Sequence, residues 1–109
     1  MNDLLKLSEI PDGIFAVEDF TALGAMQALK EAHKKIPEEV AIIGFANEAF
    51  GSYITPSLST VDQQTIKMGE SAAKIFFEYG NKKSFYKSSP KKLVLEPVLV
   101  FRDSSKKKS

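Results

Sequence analysis

Three short apolar runs along the chain each lead directly into a polar segment. The runs occupy residues 14–17, 40–45 and 58–61, and the segments that follow them are 18–19, 46–48 and 62–64. Short apolar runs bounded by turn residues are typical of strands buried in a parallel sheet. Ligands of open α/β sheets bind just beyond the carboxyl ends of the strands, so the pattern predicts one shared site.

Two longer segments have helical periodicity. Residues 21–33 and 64–79 repeat apolar or small side chains at helical spacing, and Asp19 or Thr21 is placed to cap the first of them. A last strand is predicted over residues 93–101, where Pro97 favours a sheet edge. Alternating strands and helices predict an α/β fold with a mainly parallel sheet and flanking helices.

Composition narrows the functional class but does not name a function. The chain has 109 residues, 43% of them hydrophobic, and a net charge of +1, which fits one small globular domain and gives no case for nucleic-acid binding. It has no cysteine, which excludes disulfides and thiolate metal sites. No apolar run approaches the roughly 20 residues of a membrane-spanning helix. A reducing cytoplasm is compatible with the absence of cysteine, and no membrane partner is expected.

Candidate catalytic chemistry is sparse. His33, the one histidine, stands at a predicted helix end beside two lysines and is interpreted as a partly exposed helix-end residue. Carboxylates stand at the predicted strand ends at Glu18, Asp19, Glu48 and Asp62. Together they could bind a metal or form an acid/base pair, but helix capping and loop solvation explain Asp19 and Asp62 equally well.

The same positions fit a site for polyols better. Sugar hydroxyls both donate and accept hydrogen bonds, so they suit short, rigidly held amide and carboxylate side chains. Neighbouring rings could add apolar contact. Phe15 and Phe45 are interpreted as core residues, whereas Phe50 and Tyr53 follow the polar loop and are expected to be exposed or at an interface.

Five segments together resemble the LacI/GalR family of transcriptional regulators. They keep the order and spacing of the family's motifs, and they are PDGIFAVED at 11–19, IPEEVAIIGF at 36–45, TPSLSTV at 55–61, MGESAA at 68–73 and LEPVLVFRDS at 95–104. The resemblance implies a partial periplasmic-binding-protein-like type I lobe over residues 1–104, followed by a disordered basic tail at 105–109. It covers only the last third of such a regulator. The chain is therefore expected to be a fragment that lacks the DNA-binding headpiece and the first sensor lobe.

The resemblance also implies roles for individual residues. Glu18 stands where the family usually has an effector-contacting Asn, and Gln63 matches a polar residue near the cleft. Ala46 stands where many members have an Asp that binds sugar hydroxyls or a base, so a carboxylate is missing here. Asn47 or Glu18 could compensate. Leu23 and Ile54 match parts of the subunit interface, with ordinary core packing as the alternative.

These roles describe a sensor and not an enzyme. The implied partners are a small effector, expected to be a carbohydrate, and a second copy of the chain, with operator DNA bound only through the absent headpiece. No catalytic residue, cofactor or metal is implied. Two alternatives stay open: one lobe of a sugar-binding transport protein, and a small α/β enzyme that uses Glu18 and Asp62.

Overall fold

The computed structural model describes residues 1–80 and 90–107. The chain divides into two compact units, one of Met1–Asp62 with Leu99–Ser109 and the other of Gln63–Val98. Both strands and helices are present, with strands paired in parallel, so the predicted α/β fold is confirmed. Most of the described contacts that concern function lie in the first unit.

Four short strands form the sheets in the described residues. They are β1 (Gly13–Phe15), β2 (Ala41–Ile43), β3 (Thr60–Asp62) and β4 (Val98–Val100). β1 and β2 are parallel and in register from Gly13 opposite Ala41 to Phe15 opposite Ile43, and a parallel bridge joins Ile43 to Ser59 just before β3. β3 also pairs with β4. Because β1, β2 and the segment leading into β3 run in the same direction, their carboxyl ends meet at one edge.

Three α-helices and two 3₁₀ turns complete the described part of the chain. The helices are α1 (Asn2–Leu5), α2 (Asp19–Glu31) and α3 (Thr65–Tyr79), and the turns are Ala49–Ser52 and Asp103–Ser105. Among the described residues, no helix is long and apolar enough to cross a membrane.

The two ends of α2 are fixed by local hydrogen bonds. Glu18, not Asp19 or Thr21 as predicted, is the N-cap, and its Oε1 accepts from Thr21 N at 2.7 Å. At the other end His33 adopts a left-handed conformation with φ 57°, and the His33 and Lys34 amides donate to the carbonyls of Lys30 and Leu29. This pattern closes a helix with one left-handed residue. The exposed His33 therefore has a structural role at the helix end.

The core of the first unit is small and built from α2 and the strands. Its buried apolar residues are Ala16, Ala22, Met26, Leu29, Val40, Ile42 and Leu58. Met26 and Leu29 are at helical spacing with Ala22, so one face of α2 packs against the sheet. That packing brings the beginning of α2 to the edge where the strands end.

Two predictions for β1 are wrong. The strand ends at Phe15 and not at residue 17, and Val17 is 76% exposed. Phe15 is 65% exposed and packs edge-to-face on Phe45, with 6.3 Å between ring centroids, instead of lying in the core. Alternation explains the error, because neighbours along a strand face opposite sides. Ile14 and Ala16 face the core, whereas Phe15 and Val17 face away from it.

The basic tail begins later than predicted. Ser104 is fully buried, and Ser105 Oγ lies 2.6 Å from Ser59 Oγ, so packed structure continues through the turn Asp103–Ser105. Residues 108–109 of the predicted disordered tail lie outside the described residues.

The second unit is described by itself. α3 begins at Thr65 and has no buried residue, and its Ile66, Phe76 and Phe77 are exposed. Gln64 Nε2 donates to Glu96 O, which ties the start of this helix to the segment before β4.

Candidate functional site

The edge where β1 and β2 end carries a fully buried carboxylate, Asp19. Thr60 Oγ1 donates to Asp19 Oδ1 at 2.7 Å, and the Glu48 amide donates to Asp19 Oδ2 at 2.7 Å. The Asp19 amide in turn donates to Phe45 O at 3.0 Å. The α2 dipole also favours a negative charge at this helix start. Asp19 therefore connects the starts of α2 and β3 with the loop after β2.

This arrangement overturns the interpretation of Asp19 as a helix cap or a solvated loop residue. Its side chain is 0% exposed, and both oxygens accept hydrogen bonds from other segments. Glu18, one residue earlier, caps the helix instead. A buried carboxylate must be hydrogen-bonded to be tolerated, and these contacts meet that need.

Gly44 leaves the space that the Asp19 side chain occupies. A Cβ built on Gly44 would overlap Asp19 Oδ1 and lie 3.2 Å from Asp19 Cα. A side chain at position 44 would therefore displace either the carboxylate or the start of α2. The glycine is required here for close approach of two segments.

The loop after β2 has an unusual backbone. Ala46 has φ 108° and Asn47 has φ 57°, conformations that non-glycine residues seldom adopt. The Ala46 amide donates to Val61 O at 2.9 Å, and the Asn47 amide donates to Thr60 Oγ1 at 3.1 Å. Together with the Glu48–Asp19 bond, these contacts hold three consecutive loop amides.

Arg102 holds the same loop from the other side. Its Nη1 donates to Leu58 O at 2.9 Å, and its Nη2 donates to Asn47 Oδ1 at 3.0 Å. Arg102 was not among the residues predicted from the sequence to form the site. The signal was present in the closing segment at 95–104, where an arginine stands two residues before a serine that proves to be buried.

That serine docks the end of the chain onto the sheet. Ser104 Oγ donates to Ile42 O at 2.6 Å and accepts from the Ser59 amide at 2.8 Å. The Arg102 amide donates to Ser59 Oγ at 2.8 Å. Residues 102–105 thus cross the segment leading into β3, which places the Arg102 side chain beside the loop.

The predicted site residues are in different situations. Glu18 Oε1 accepts from both the amide and the hydroxyl of Thr21, and this hydroxyl bond is the main cause that holds the pKa of the Glu18 carboxyl below its ordinary value. Ala46 has no polar side chain, and its backbone amide donates to Val61 O. Asn47 is half-buried and bound to Arg102, whereas Gln63 begins the second unit.

The carboxylates at the strand ends do not form a cluster. In residues 1–80 and 90–107, no group of three or more Asp, Glu and His side chains could hold a metal ion. Asp19 is bound to Thr60 and the loop, and Glu18 is bound to Thr21, so these two neighbouring carboxylates have separate partners.

The predicted interface residues lie near α2 and the turn Ala49–Ser52. Leu23 is 37% exposed, and Ile54 is half-buried and packs partly against the core. Phe20 and Phe50 stack between the helix and the turn with ring centroids 4.9 Å apart, and Tyr53 is 85% exposed. Phe50 is thus only partly exposed, and Tyr53 is almost fully exposed.

Comparison with known proteins identifies the domain. Residues 1–105 match the model of the periplasmic binding protein-like domain family. The chain belongs to this family. Curated PurR repressors and solved LacI-family regulators match the chain, which is consistent with an effector-binding domain of the LacI/GalR type.

One curated relative and two solved structures illustrate the similarity. The HTH-type transcriptional repressor PurR of Mannheimia succiniciproducens is 32% identical over 108 residues, covering 98% of this chain and 31% of the repressor. A LacI family regulator from Enterococcus faecalis with bound ribose is 32% identical with a TM-score of 0.82, over 95% of this chain and 37% of that one. The transcriptional regulator CelR–cellobiose complex is 29% identical with a TM-score of 0.73, over 85% and 28% respectively.

This periplasmic binding protein-like domain spans about a third of the length of each of these proteins. The relatives are transcriptional regulators, not enzymes. The ribose and cellobiose are ligands of those regulators.

Proposed function

We propose that the chain is part of the effector-binding and dimerisation domain of a cytoplasmic LacI-type transcriptional regulator, with a small carbohydrate as effector. Residues 1–104 contribute to the domain, and Glu18, Asn47 and Gln63 contact the effector together with the backbone of Ala46. Operator DNA is bound by a separate headpiece. No cofactor, metal or catalytic residue takes part.

The observation that carries this proposal is the loop 46–48 at the carboxyl ends of the strands. Its backbone is fixed by Val61, Thr60 and Asp19, and its Asn47 side chain by Arg102. A binding site gains affinity when its polar groups are held in place before the ligand arrives. This edge of an α/β sheet is also where ligands bind in such folds.

Two features favour a carbohydrate. Of the solved regulators described above, one has bound ribose and another is a complex with cellobiose. The chain itself offers an amide and a carboxylate near the strand ends, at Asn47 and Glu18, and such short polar groups suit hydroxyls. The missing carboxylate at Ala46 leaves the choice of sugar to these remaining groups.

Regulation follows from a population shift. A ligand that binds one arrangement of the regulator better than another raises the population of that arrangement, by no more than its difference in affinity. A change in lobe arrangement then alters operator affinity at a distant headpiece. No covalent bond is formed or broken.

Calorimetric titration with a sugar panel tests the effector class. The 109-residue chain and the product of its complete reading frame are titrated with ribose, cellobiose and other mono- and disaccharides. We expect one sugar to bind the complete product and Asn47→Ala to weaken that sugar by roughly tenfold, the loss of one charged or two neutral hydrogen bonds. Absence of binding across the panel contradicts the carbohydrate proposal.

A DNA titration tests the separate headpiece. We expect the 109-residue chain to bind operator and random DNA equally weakly at all salt concentrations. A sequence-specific complex that survives physiological salt would place operator recognition in this chain.

The dimer proposal rests on the exposed side of α2 and the neighbouring Tyr53. Leu23→Asp puts a charge on this surface and is expected to shift sedimentation toward monomer, because an unpaired charge is costly in an apolar interface. Leu7→Asp is the matched control, since Leu7 is an exposed leucine outside this surface. Equal sedimentation of Leu23→Asp and wild type, both dimeric, would exclude Leu23 from the interface.

The two alternatives have weaker support. A transport-protein lobe has the same fold, but the relatives described above are regulators. An enzyme using Glu18 and Asp62 needs Glu18 as an acid or base, whereas its Oε1 already accepts two bonds from Thr21. A catalytic turnover that is lost in Glu18→Gln would support the enzyme hypothesis.

A further inference from the structure

The side-chain amide of Asn47 has one determined orientation. Arg102 Nη2 lies 3.0 Å from Asn47 Oδ1. A guanidinium can only donate hydrogen bonds, so the amide atom facing it must be the oxygen. The Nδ2 group, with its two N–H donors, is therefore on the side away from Arg102.

Both partners in this contact are held independently. Arg102 Nη1 donates to Leu58 O at 2.9 Å, and the Arg102 backbone is fixed by Ser59. The backbone of Asn47 is fixed by Thr60. Because the guanidinium is held in place by Leu58, rotating the Asn47 amide by 180° would set Nδ2 against it. Two donors would then face each other, at the cost of one hydrogen bond and an unfavourable contact.

Asn47 Nδ2 has no hydrogen-bond partner among the described residues, and Asn47 is half-buried. Its neighbour Ala46 offers only a methyl group. The side-chain donors that loop 46–48 presents from Asn47 are thus available to a ligand. Arg102 also forms no ion pair with a described residue, so its positive charge is uncompensated there by contact with a carboxylate.

We propose that Arg102 is a positioning residue that turns Asn47 Nδ2 toward the effector, so that the site selects ligands with a hydrogen-bond acceptor at that point. This inference rests on the proposed effector-binding function. A hydroxyl that accepts, a carbonyl oxygen or a carboxylate oxygen meets the requirement. An ammonium or another group that only donates does not, and the nearby guanidinium disfavours a cation further.

Asn47→Asp separates the two roles of this side chain. The carboxylate keeps an acceptor for Arg102, so the loop stays anchored, but it replaces both N–H donors with an acceptor. Arg102→Lys removes the fork that bridges Leu58 and Asn47 while it keeps the charge. Asn2→Asp is the matched control, since Asn2 is an exposed asparagine in α1.

Ribose and its deoxy and deoxyfluoro derivatives at each hydroxyl are the probes. Fluorine accepts weakly and cannot donate, so it marks the hydroxyl that acts as an acceptor. At one hydroxyl position we expect the deoxyfluoro sugar to bind at least about threefold more tightly than the deoxy sugar. This difference in affinity corresponds to a fraction of the free energy of one hydrogen bond. Asn47→Asp and Arg102→Lys should each abolish this difference in affinity, whereas Asn2→Asp should preserve it. The melting temperature of Asn47→Asp should equal that of the wild type.

The outcomes separate this inference from the proposed function. If ribose binds and Asn47→Asp keeps the fluoro-to-deoxy difference, the inference is wrong and the effector function stands. If no ribose derivative binds, the carbohydrate proposal loses support, and the nuclear magnetic resonance spectrum of the Asn47 side-chain amide decides the inference. Its two N–H signals should be sharp in the wild type and shifted or broadened in Arg102→Lys. Unchanged signals would overturn the positioning role.

Discussion

Thr60 Oγ1 donates a 2.7 Å hydrogen bond to Asp19 Oδ1 across 41 residues of sequence, inside the fold. The same Thr60 oxygen accepts from the Asn47 amide, so a single hydroxyl links the buried carboxylate to the loop. The other carboxylate oxygen of Asp19 accepts a hydrogen bond from the Glu48 amide. Loop 46–48, which is proposed to contact the effector, is therefore held by Thr60 and Asp19, and neither of these residues has to contact the effector itself.

Replacement of Asp19 should destabilise the fold. Asp19→Ala leaves the Thr60 hydroxyl and the Glu48 amide without their acceptor, which costs about 2–5 kcal/mol of unfolding free energy. Asp19→Asn keeps one acceptor and should lose less. Urea unfolding gives both values, and Asp12→Asn is the control at an exposed Asp. Equal stability of Asp19→Ala and wild type would show that the buried carboxylate is dispensable.

A side chain at Gly44 should have a similar consequence by a different cause. Gly44→Ala places a Cβ against Asp19 Oδ1, and overpacking of this kind costs roughly 1–3 kcal/mol. Gly24→Ala is the matched control, because a Cβ on Gly24 in α2 meets nothing within 4 Å. Alanine favours a helix by up to about 1 kcal/mol over glycine, so Gly24→Ala should raise the melting temperature while Gly44→Ala lowers it.

Ser104 should prove essential to the packing of residues 102–105. Ser104→Ala removes the hydroxyl that joins Ile42 O to the Ser59 amide, and two buried backbone groups lose a partner. We expect a loss of about 2–4 kcal/mol and faster hydrogen exchange at Ser59. Ser52→Ala, at an exposed serine, should change stability by less than about 0.5 kcal/mol. A similar small change in Ser104→Ala would contradict the docking role.

The cap at Glu18 should make α2 sensitive to acid. The hydrogen bond from the Thr21 hydroxyl is the main cause that lowers the pKa of Glu18 in the folded protein. The stabilising contribution of the Glu18 carboxylate is therefore fully present above its ordinary pKa of 4.5. That contribution is lost as the pH falls through the lower folded value.

Glu18→Gln keeps an acceptor for Thr21 but cannot titrate. Its melting temperature should be lower than that of the wild type at neutral pH, and the gap should narrow as the pH falls below 4.5. Glu70→Gln, at an exposed residue of α3, controls for the change in net charge. A gap that stays constant with pH would exclude the charged cap.

The order of elements was predictable from the sequence because each signal is local. Apolar runs of a few residues gave the strands, and helical spacing gave α2 and α3 to within two residues at each end. The strand ends were overestimated, as at Val17, because an apolar side chain next to a strand is indistinguishable in sequence from one within it. The parallel order of these elements also predicted that the polar residues after the strands lie at one edge, and their role as a binding site stays a prediction.

The contacts within the site were not predictable in the same way. Asp19 and Glu18 are adjacent acidic residues at a helix start, and either could have been the cap. Their different roles depend on Gly44, which leaves the space that the Asp19 side chain occupies. Arg102 escaped notice because its partners Leu58 and Asn47 are 44 and 55 residues away.

By itself the sequence determined the α/β class, the edge at which the polar segments meet and the family to which the chain belongs, since these depend on periodicity and on motifs read along the chain. Only the tertiary structure decided that Asp19 is buried, that Arg102 donates to Asn47 and that Ser104 docks the last turn. Those facts depend on which distant segments come within hydrogen-bond distance, and a buried polar atom takes its role from the partner it finds there.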